Sequence, residues 1–202
     1  MARTTSKEAE GMQDRIEEVS VRKVVASEFV SLDGVFGSPD QWHFQYVNDE
    51  MEETRKEIFA TADAMLLGRT TYEEWAGFWP LQGDQGPAGY MNNTAKYVVS
   101  KTLAGPLEWN NSTLIDGDVA EAIAKLKQQP GKDISILGSG ALVRSLLRNG
   151  LLDELRLMVH PIVVGRGKRL FEDGGDQKPL ELVDSKTLGT GVLYLTYRPA
   201  GG

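Results

Sequence analysis

From Val21 onward, short β-rich runs alternate with stretches whose apolar residues recur at helical spacing. The run Val21-Arg22-Lys23-Val24-Val25-Ala26-Ser27-Glu28-Phe29-Val30 predicts a core strand that stops at the turn-forming Ser31-Leu32-Asp33-Gly34. Between Asn48 and Ala62, charges interleave with Met51, Ile58 and Phe59, which predicts a helix with a narrow apolar face. Strand Ala64-Met65-Leu66-Leu67 and a helix from Thr70 to about Trp75 follow. Residues Trp79 to Met91 carry Pro80, Gly83, Gly86, Pro87 and Gly89, and this composition predicts a loop.

Lys96-Tyr97-Val98-Val99-Ser100 reads as the next strand. Asp118 precedes Glu121 by three positions, as in a capping box, and Val119, Ile123 and Leu126 then share one helical face until Pro130. Strand Asp133 to Leu137 leads into Gly138, and Leu142, Val143, Leu146 and Leu147 form the inner face of a helix closed by Asn149-Gly150. Leu155, Leu157 and Val159 alternate with Arg156, Met158 and His160, and a hairpin follows: Leu180 to Leu188, a turn at Gly189-Thr190-Gly191, then Val192 to Tyr197. Strands alternating with helices and then strands alone describe an α/β fold, with a mainly parallel sheet, helices on both faces and an antiparallel C-terminal edge. Residues 1–20 read as a polar tail, and 21–200 as one domain.

Composition removes several chemistries. The 202 residues include no Cys, which excludes disulfides, thiolate catalysis and Cys-ligated zinc, and His43 and His160 alone are too few for a histidine-rich metal site. A formal charge of -7, from 29 acids against 22 bases, disfavours nucleic acid in the absence of a concentrated basic face. No apolar run reaches bilayer length, and the first residues are too polar for a signal peptide, so the expected setting is cytoplasmic with no membrane partner.

Two places repeat one design, an apolar strand broken at Gly with a hydroxyl-bearing turn opening a helix. They are Leu67-Gly68-Arg69-Thr70-Thr71 and Leu137-Gly138-Ser139-Gly140-Ala141-Leu142. Amides at a helix start are unpaired and the helix dipole adds positive charge there, so such a corner stabilises an anionic oxygen. Two corners suit a dinucleotide. The second lacks the third glycine of a Rossmann fingerprint, since Val143 stands there, and both also read as plain strand-to-helix turns. Arg69 offers bidentate phosphate binding, and Ser100-Lys101-Thr102 sets a cation between two hydroxyls.

The ordered set Ser31-Leu32-Asp33-Gly34, Leu67-Gly68-Arg69-Thr70-Thr71-Tyr72, Val98-Val99-Ser100-Lys101, Leu137-Gly138-Ser139-Gly140 and Pro161-Ile162-Val163-Val164-Gly165 resembles the dihydrofolate-reductase-like superfamily. Within it, the set is most similar to the reductase domain of bacterial riboflavin-biosynthesis deaminase-reductases. The resemblance implies a three-layer α/β/α fold, a homodimer and NADPH as cofactor. Its pyrophosphate would lie between the Gly68 and Gly138 corners and its 2′-phosphate near Ser100, Lys101 and Thr102, while Ala26, Leu32 and Gly34 would flank the nicotinamide. A small pyrimidine- or pteridine-linked substrate would be reduced, with Asp33 as candidate acid or orienter and Asp49 and Glu50 as alternatives. Trp42 and Trp79 are candidate substrate walls, and Arg166, Lys168 and Arg169 candidate phosphate attractors; each of these groups also reads as ordinary core or surface. A pterin reductase and a non-catalytic dinucleotide-binding dimer remain the alternatives.

Overall fold

A computed structural model describes residues 21–172, 175 and 177–201. The polar tail expected at 1–20 lies outside them. The strands are β1 (Val24–Ser31), β2 (Ala62–Gly68), β3 (Ala95–Val99), β4 (Ser112–Ile115), β5 (Asp133–Leu137), β6 (Glu154–His160), β7 (Leu180–Thr187) and β8 (Leu193–Pro199). The helices are α1 (Asp49–Thr61), α2 (Arg69–Ala76), α3 (Gly86–Asn93), α4 (Val119–Lys127) and α5 (Gly140–Arg148). The sheet order is β4-β3-β2-β5-β1-β6-β8-β7. β1 through β6 pair in parallel, and β8 pairs antiparallel with both β6 and β7.

This is the three-layer α/β arrangement the alternation predicted. Strands β2 and β5 are covered on both faces, which is why consecutive residues, Met65, Leu66 and Leu67 on β2 and Ile134, Ser135 and Ile136 on β5, are all buried. One core layer sets β1 and β5 against α4 and α5, with Ile123, Leu126, Val143 and Leu146 at its centre. The opposite face is covered by α2, α3 and Trp109, and by α1 through Met51 and Ile58. Caps fix the helix starts: Met51 N donates to Asn48 Oδ1 at 3.0 Å, and Glu121 N to Asp118 Oδ1 at 3.0 Å.

The segment expected to be a loop is instead a 3-10 turn, Trp79–Gln82, followed by helix α3. Pro87 stands in the first turn, where its missing N–H is harmless, and Gly89 lets the Asp84 carbonyl approach a helix that any Cβ there would push away. Asn92 then ties the helix to the turn, donating to Trp79 O at 3.1 Å and Gly83 O at 2.8 Å.

Candidate functional site

Parallel strands that end side by side place the turns that follow them along one rim of the sheet. There β2 runs into Gly68 and α2, and its neighbour β5 into Gly138 and α5. Both helix starts lack a side-chain cap. Thr70, Thr71, Ala141 and Leu142, whose amides belong to these first turns, line a shared cavity of about 1170 Å³.

Gly68, Arg69, Thr70, Thr71, Gly138, Ser139, Gly140, Ala141 and Leu142 all line this cavity, and so do Trp42 and Trp79. Side chains weld the two corners together. Ser139 Oγ accepts from Gly68 N at 2.9 Å and donates to Thr71 Oγ1 at 2.8 Å, and Thr71 Oγ1 lies 3.3 Å from Gly138 O. The Ser139 and Thr71 hydroxyls, two of those expected on phosphate, are thus already engaged in joining α2 to α5. Gly140 has a further role, since a Cβ there would stand 2.9 and 3.0 Å from ring carbons of Phe36. Arg69 is half exposed and pairs with Glu73 at 2.9 Å.

Seven residues expected to carry catalysis or hold the cofactor stand outside the lining. Ala26 is wholly buried in the core layer under α5, and Leu32 projects into solvent. Gly34, with Leu32 and Asp33, belongs to a turn beyond the end of β1. Asp33 accepts from Ser31 Oγ at 2.6 Å, Val164 N at 3.0 Å and Gly165 N at 2.8 Å, which sews this turn to the segment after β6. The Ser31 hydroxyl first, then the Val164 amide, pull its carboxyl down to about 2. The expectation of a proton donor is corrected accordingly, because a carboxyl ionised throughout the neutral range holds no proton to give. Of the alternatives, Glu50 pairs with Lys186 and accepts from Gly189 N at 2.8 Å, lowering its pKa, and neither Glu50 nor Asp49 lines the cavity.

Ser100, Lys101 and Thr102 also lie off the cavity. The Ser100 hydroxyl accepts from Thr102 N at 3.1 Å and Leu103 N at 3.0 Å, so it organises its own turn. Because Val99 pairs with Gly68, this turn sits one strand beyond the first corner. Arg166 and Lys168 line the cavity, whereas Arg169 does not and approaches Asp33 at 3.9 Å.

Several lining residues escaped sequence reading. Glu28 lies on β1 with only 4% of its surface exposed. Both of its carboxyl oxygens are 3.1 Å from Gly138 N, and burial pushes its pKa up to about 8 against the opposing pull of that amide. The signal was an acid in register with Val24, Ala26 and Val30 on the inward side of an apolar strand. Phe29, on the other face, stacks on His43 with centroids 4.2 Å apart. His43 Nδ1 lies 2.9 Å from His160 Nε2, whose other ring nitrogen is 2.9 Å from Met158 O. Burial first, then the neighbouring His160 and Arg55, lowers His43 to about 4, and burial lowers His160 as well. The wall near α1 adds Arg55, Ile58, Phe59, Arg156, Met158 and Tyr194.

Two buried polar atoms on lining residues, Ser27 Oγ and Trp79 Nε1, have no hydrogen-bond partner among the described residues. Orphaned groups and open helix starts in one cavity fit a polyanionic ligand with polar edges, and a dinucleotide is such a molecule. Among the described residues no group of three or more His, Asp or Glu side chains could hold a metal ion, and no helix is long and apolar enough to cross a membrane.

Comparison with known proteins assigns this three-layer fold, with its cleft at the strand ends, to the dihydrofolate-reductase-like class. The pattern of the RibD C-terminal domain family matches residues 22–194, and the chain belongs to that family. It is 30% identical over 181 residues to the uncharacterized protein YyaP of Bacillus subtilis, covering 87% of this chain and 94% of that one. The crystal structure of a putative riboflavin biosynthesis protein from Shewanella sp. PV-4 superposes with a TM-score of 0.72 at 20% identity, over 88% of this chain and 98% of that one. Dihydrofolate reductase from Enterococcus faecalis, complexed with NADP(H), superposes at 0.58 with 18% identity, over 88% and 96% of the two chains. These two likenesses establish the shared fold.

Proposed function

We propose that the protein is an NADPH-dependent reductase of the riboflavin-biosynthesis type that acts on a small pyrimidine- or pteridine-linked molecule. The observation that carries this reading is the opening of two uncapped helix starts, α2 and α5, into one cavity floored by Ser27, Glu28 and Phe29. Membership of the RibD C-terminal domain family supports it, as does the NADP(H) complex of the structurally similar Enterococcus reductase.

The dinucleotide, when bound, would supply hydride; the chain's task is to hold, orient and dry the reactants. The amides that open α2 and α5 would carry the anionic oxygens. Ser27 Oγ and Trp79 Nε1 would gain partners on the ligand's polar edges. Phe29, Trp42, Phe59 and Met158 exclude water and offer flat apolar surface to a ring, while Arg55, Arg156, Arg166 and Lys168 favour an anionic or oxygen-rich substrate arm. Lys101, one strand beyond the Gly68 corner, would meet the 2′-phosphate and favour NADPH over NADH. A cytoplasmic homodimer joined through the late strands completes the proposal, supported by Leu182 and Val183, which are 51% and 43% exposed on the outermost strand.

The test is a screen of NADPH and NADH oxidation across riboflavin-pathway pyrimidines and pterins, with dissociation constants for both cofactors in wild type and Lys101→Ala. The expected result is turnover on one of these compounds, tighter binding of NADPH, and a selective loss of NADPH affinity in the variant. Binding without oxidation of any compound would favour the non-catalytic alternative. Failure to bind either cofactor would overturn the proposal.

A further inference from the structure

Glu28 has a place in the fold that ordinary strand packing does not explain. Its neighbours on the same side of β1, Ala26 and Val30, are core residues, yet a carboxyl stands between them where an aliphatic side chain would be buried at no cost. The only hydrogen bond it receives among the described residues is from Gly138 N, 3.1 Å from each oxygen. Burial and that amide are the influences on its acidity, with no cation among them. One amide donor compensates little of the cost of burying a full negative charge. A carboxyl in this setting keeps its proton at neutral pH, and its O–H faces a cavity without a protein acceptor.

The corner at which it stands is one of the two places where anionic oxygens are expected. A carboxylate there would repel such an oxygen, whereas a carboxylic acid would donate to it. Resting on the reading of this cavity as a phosphate-bearing ligand's site, we propose that Glu28 is its proton-holding ligand group: it meets the ligand as a neutral acid and donates its O–H to a phosphoryl oxygen at the Gly138 corner. No bond other than this hydrogen bond forms or breaks. Binding above the free protein's titration range must then bring a proton from solvent.

Other charged groups border the same space. They are Arg55 from α1, Arg69 and Glu74 from α2, Arg144 from α5 with its partner Glu172, Arg156 from β6, Arg166 and Lys168 from the segment after β6, and Asp40 from the loop after β1, with the Tyr194 phenol, raised by burial, from β8. The arginines hold their charge throughout the range of interest. Any contribution from Lys168, or from groups outside the cavity, is separated by the Glu28→Gln variant, because it persists there. The carboxamide of that variant would still accept from Gly138 N and would present N–H in place of O–H, so it imitates the protonated acid without titrating.

The experiment is calorimetric titration of the full chain with NADPH and with ADP-ribose, whose pyrophosphate diester carries no titrating proton near neutrality. It is run at about pH 7 and about pH 9.5 in buffers of different ionisation enthalpy. In wild type both ligands should weaken roughly tenfold per pH unit above Glu28's free range, with proton uptake approaching one per ligand. In Glu28→Gln that dependence and that uptake should vanish, and affinity at the higher pH should exceed wild type's. Equal wild-type affinity at both pH values with no uptake would overturn the proposal, and this arm needs no variant to fold. The same dependence surviving in Glu28→Gln would also overturn it. ADP-ribose behaving as expected while NADPH fails to bind would leave the Glu28 assignment standing and remove the cofactor reading. NADPH binding without any pH effect would do the reverse, and failure of both ligands to bind would remove both.

Discussion

Gly138 has φ of +76°, and a Cβ there would lie 3.4 Å from the Trp75 ring and 3.8 Å from the Thr71 methyl. Its N–H meets Glu28 and its carbonyl meets Thr71, so the residue holds the floor of the cavity to the weld between α2 and α5. Gly138→Ala should cost about 1–2 kcal/mol from the left-handed backbone alone, measured by denaturant unfolding. A change under about 0.5 kcal/mol would mean that the turn relaxes and that the positive φ is not obligatory. This glycine was legible in the sequence because a strand that stops at Gly-Ser-Gly must turn sharply. The roles of Gly140, Asp33 and Glu28 were not. Gly140 exists for contact with Phe36, more than one hundred positions away in the chain, and Asp33 looks like any Asp-Gly turn residue until Val164 and Gly165 are brought to it.

Elements with strong local signals came through as read: β1, β2 and β5 from their apolar runs, α1 from its narrow apolar face and α4 from its cap and stripe. Helix α3 did not, because its Gly and Pro content mimics a loop while its stability comes from distant partners. Asn92 reaches Trp79, Gly83 and Trp109, and Lys96 on the adjoining strand donates to the carbonyls of Asn92, Thr94 and Asn110 beside the Trp109 ring. The His43 and His160 pair is another tertiary product, joining the segment before α1 to the end of β6. It makes the fold acid-sensitive. Both histidines are held below their ordinary range, so the unfolded chain binds protons that the folded chain refuses. Stability from His43 should be lost as pH falls from about 6.5 toward 4. Glu28 acts with the opposite sign: its raised pKa contributes stability below about 4.5 that is lost as pH rises toward 8. The melting temperature of His43→Phe should therefore fall less than wild type's across the acid window, and equal falls would remove the histidine pair from the explanation.

Across the whole molecule, parallel strand order does what no local motif can, because it brings two turns separated by about seventy residues to adjacent strand ends above β1. The alternation of elements implied a mainly parallel sheet and the two Gly-containing strings implied two anion corners, but the adjacency of β2 and β5 that brings them together was not legible. The size of the cavity, the orphaned Ser27 and Trp79 groups and the basic wall near α1 depend on side-chain placement that periodicity does not encode. The central claim is that one dinucleotide engages both corners at once. Its most direct test is residue-resolved amide hydrogen exchange of the full chain with and without saturating NADPH. Simultaneous slowing at Arg69 to Thr71 and at Gly140 to Leu142 is the result predicted here. Slowing at one corner only, or at neither while the ligand is bound, would contradict it.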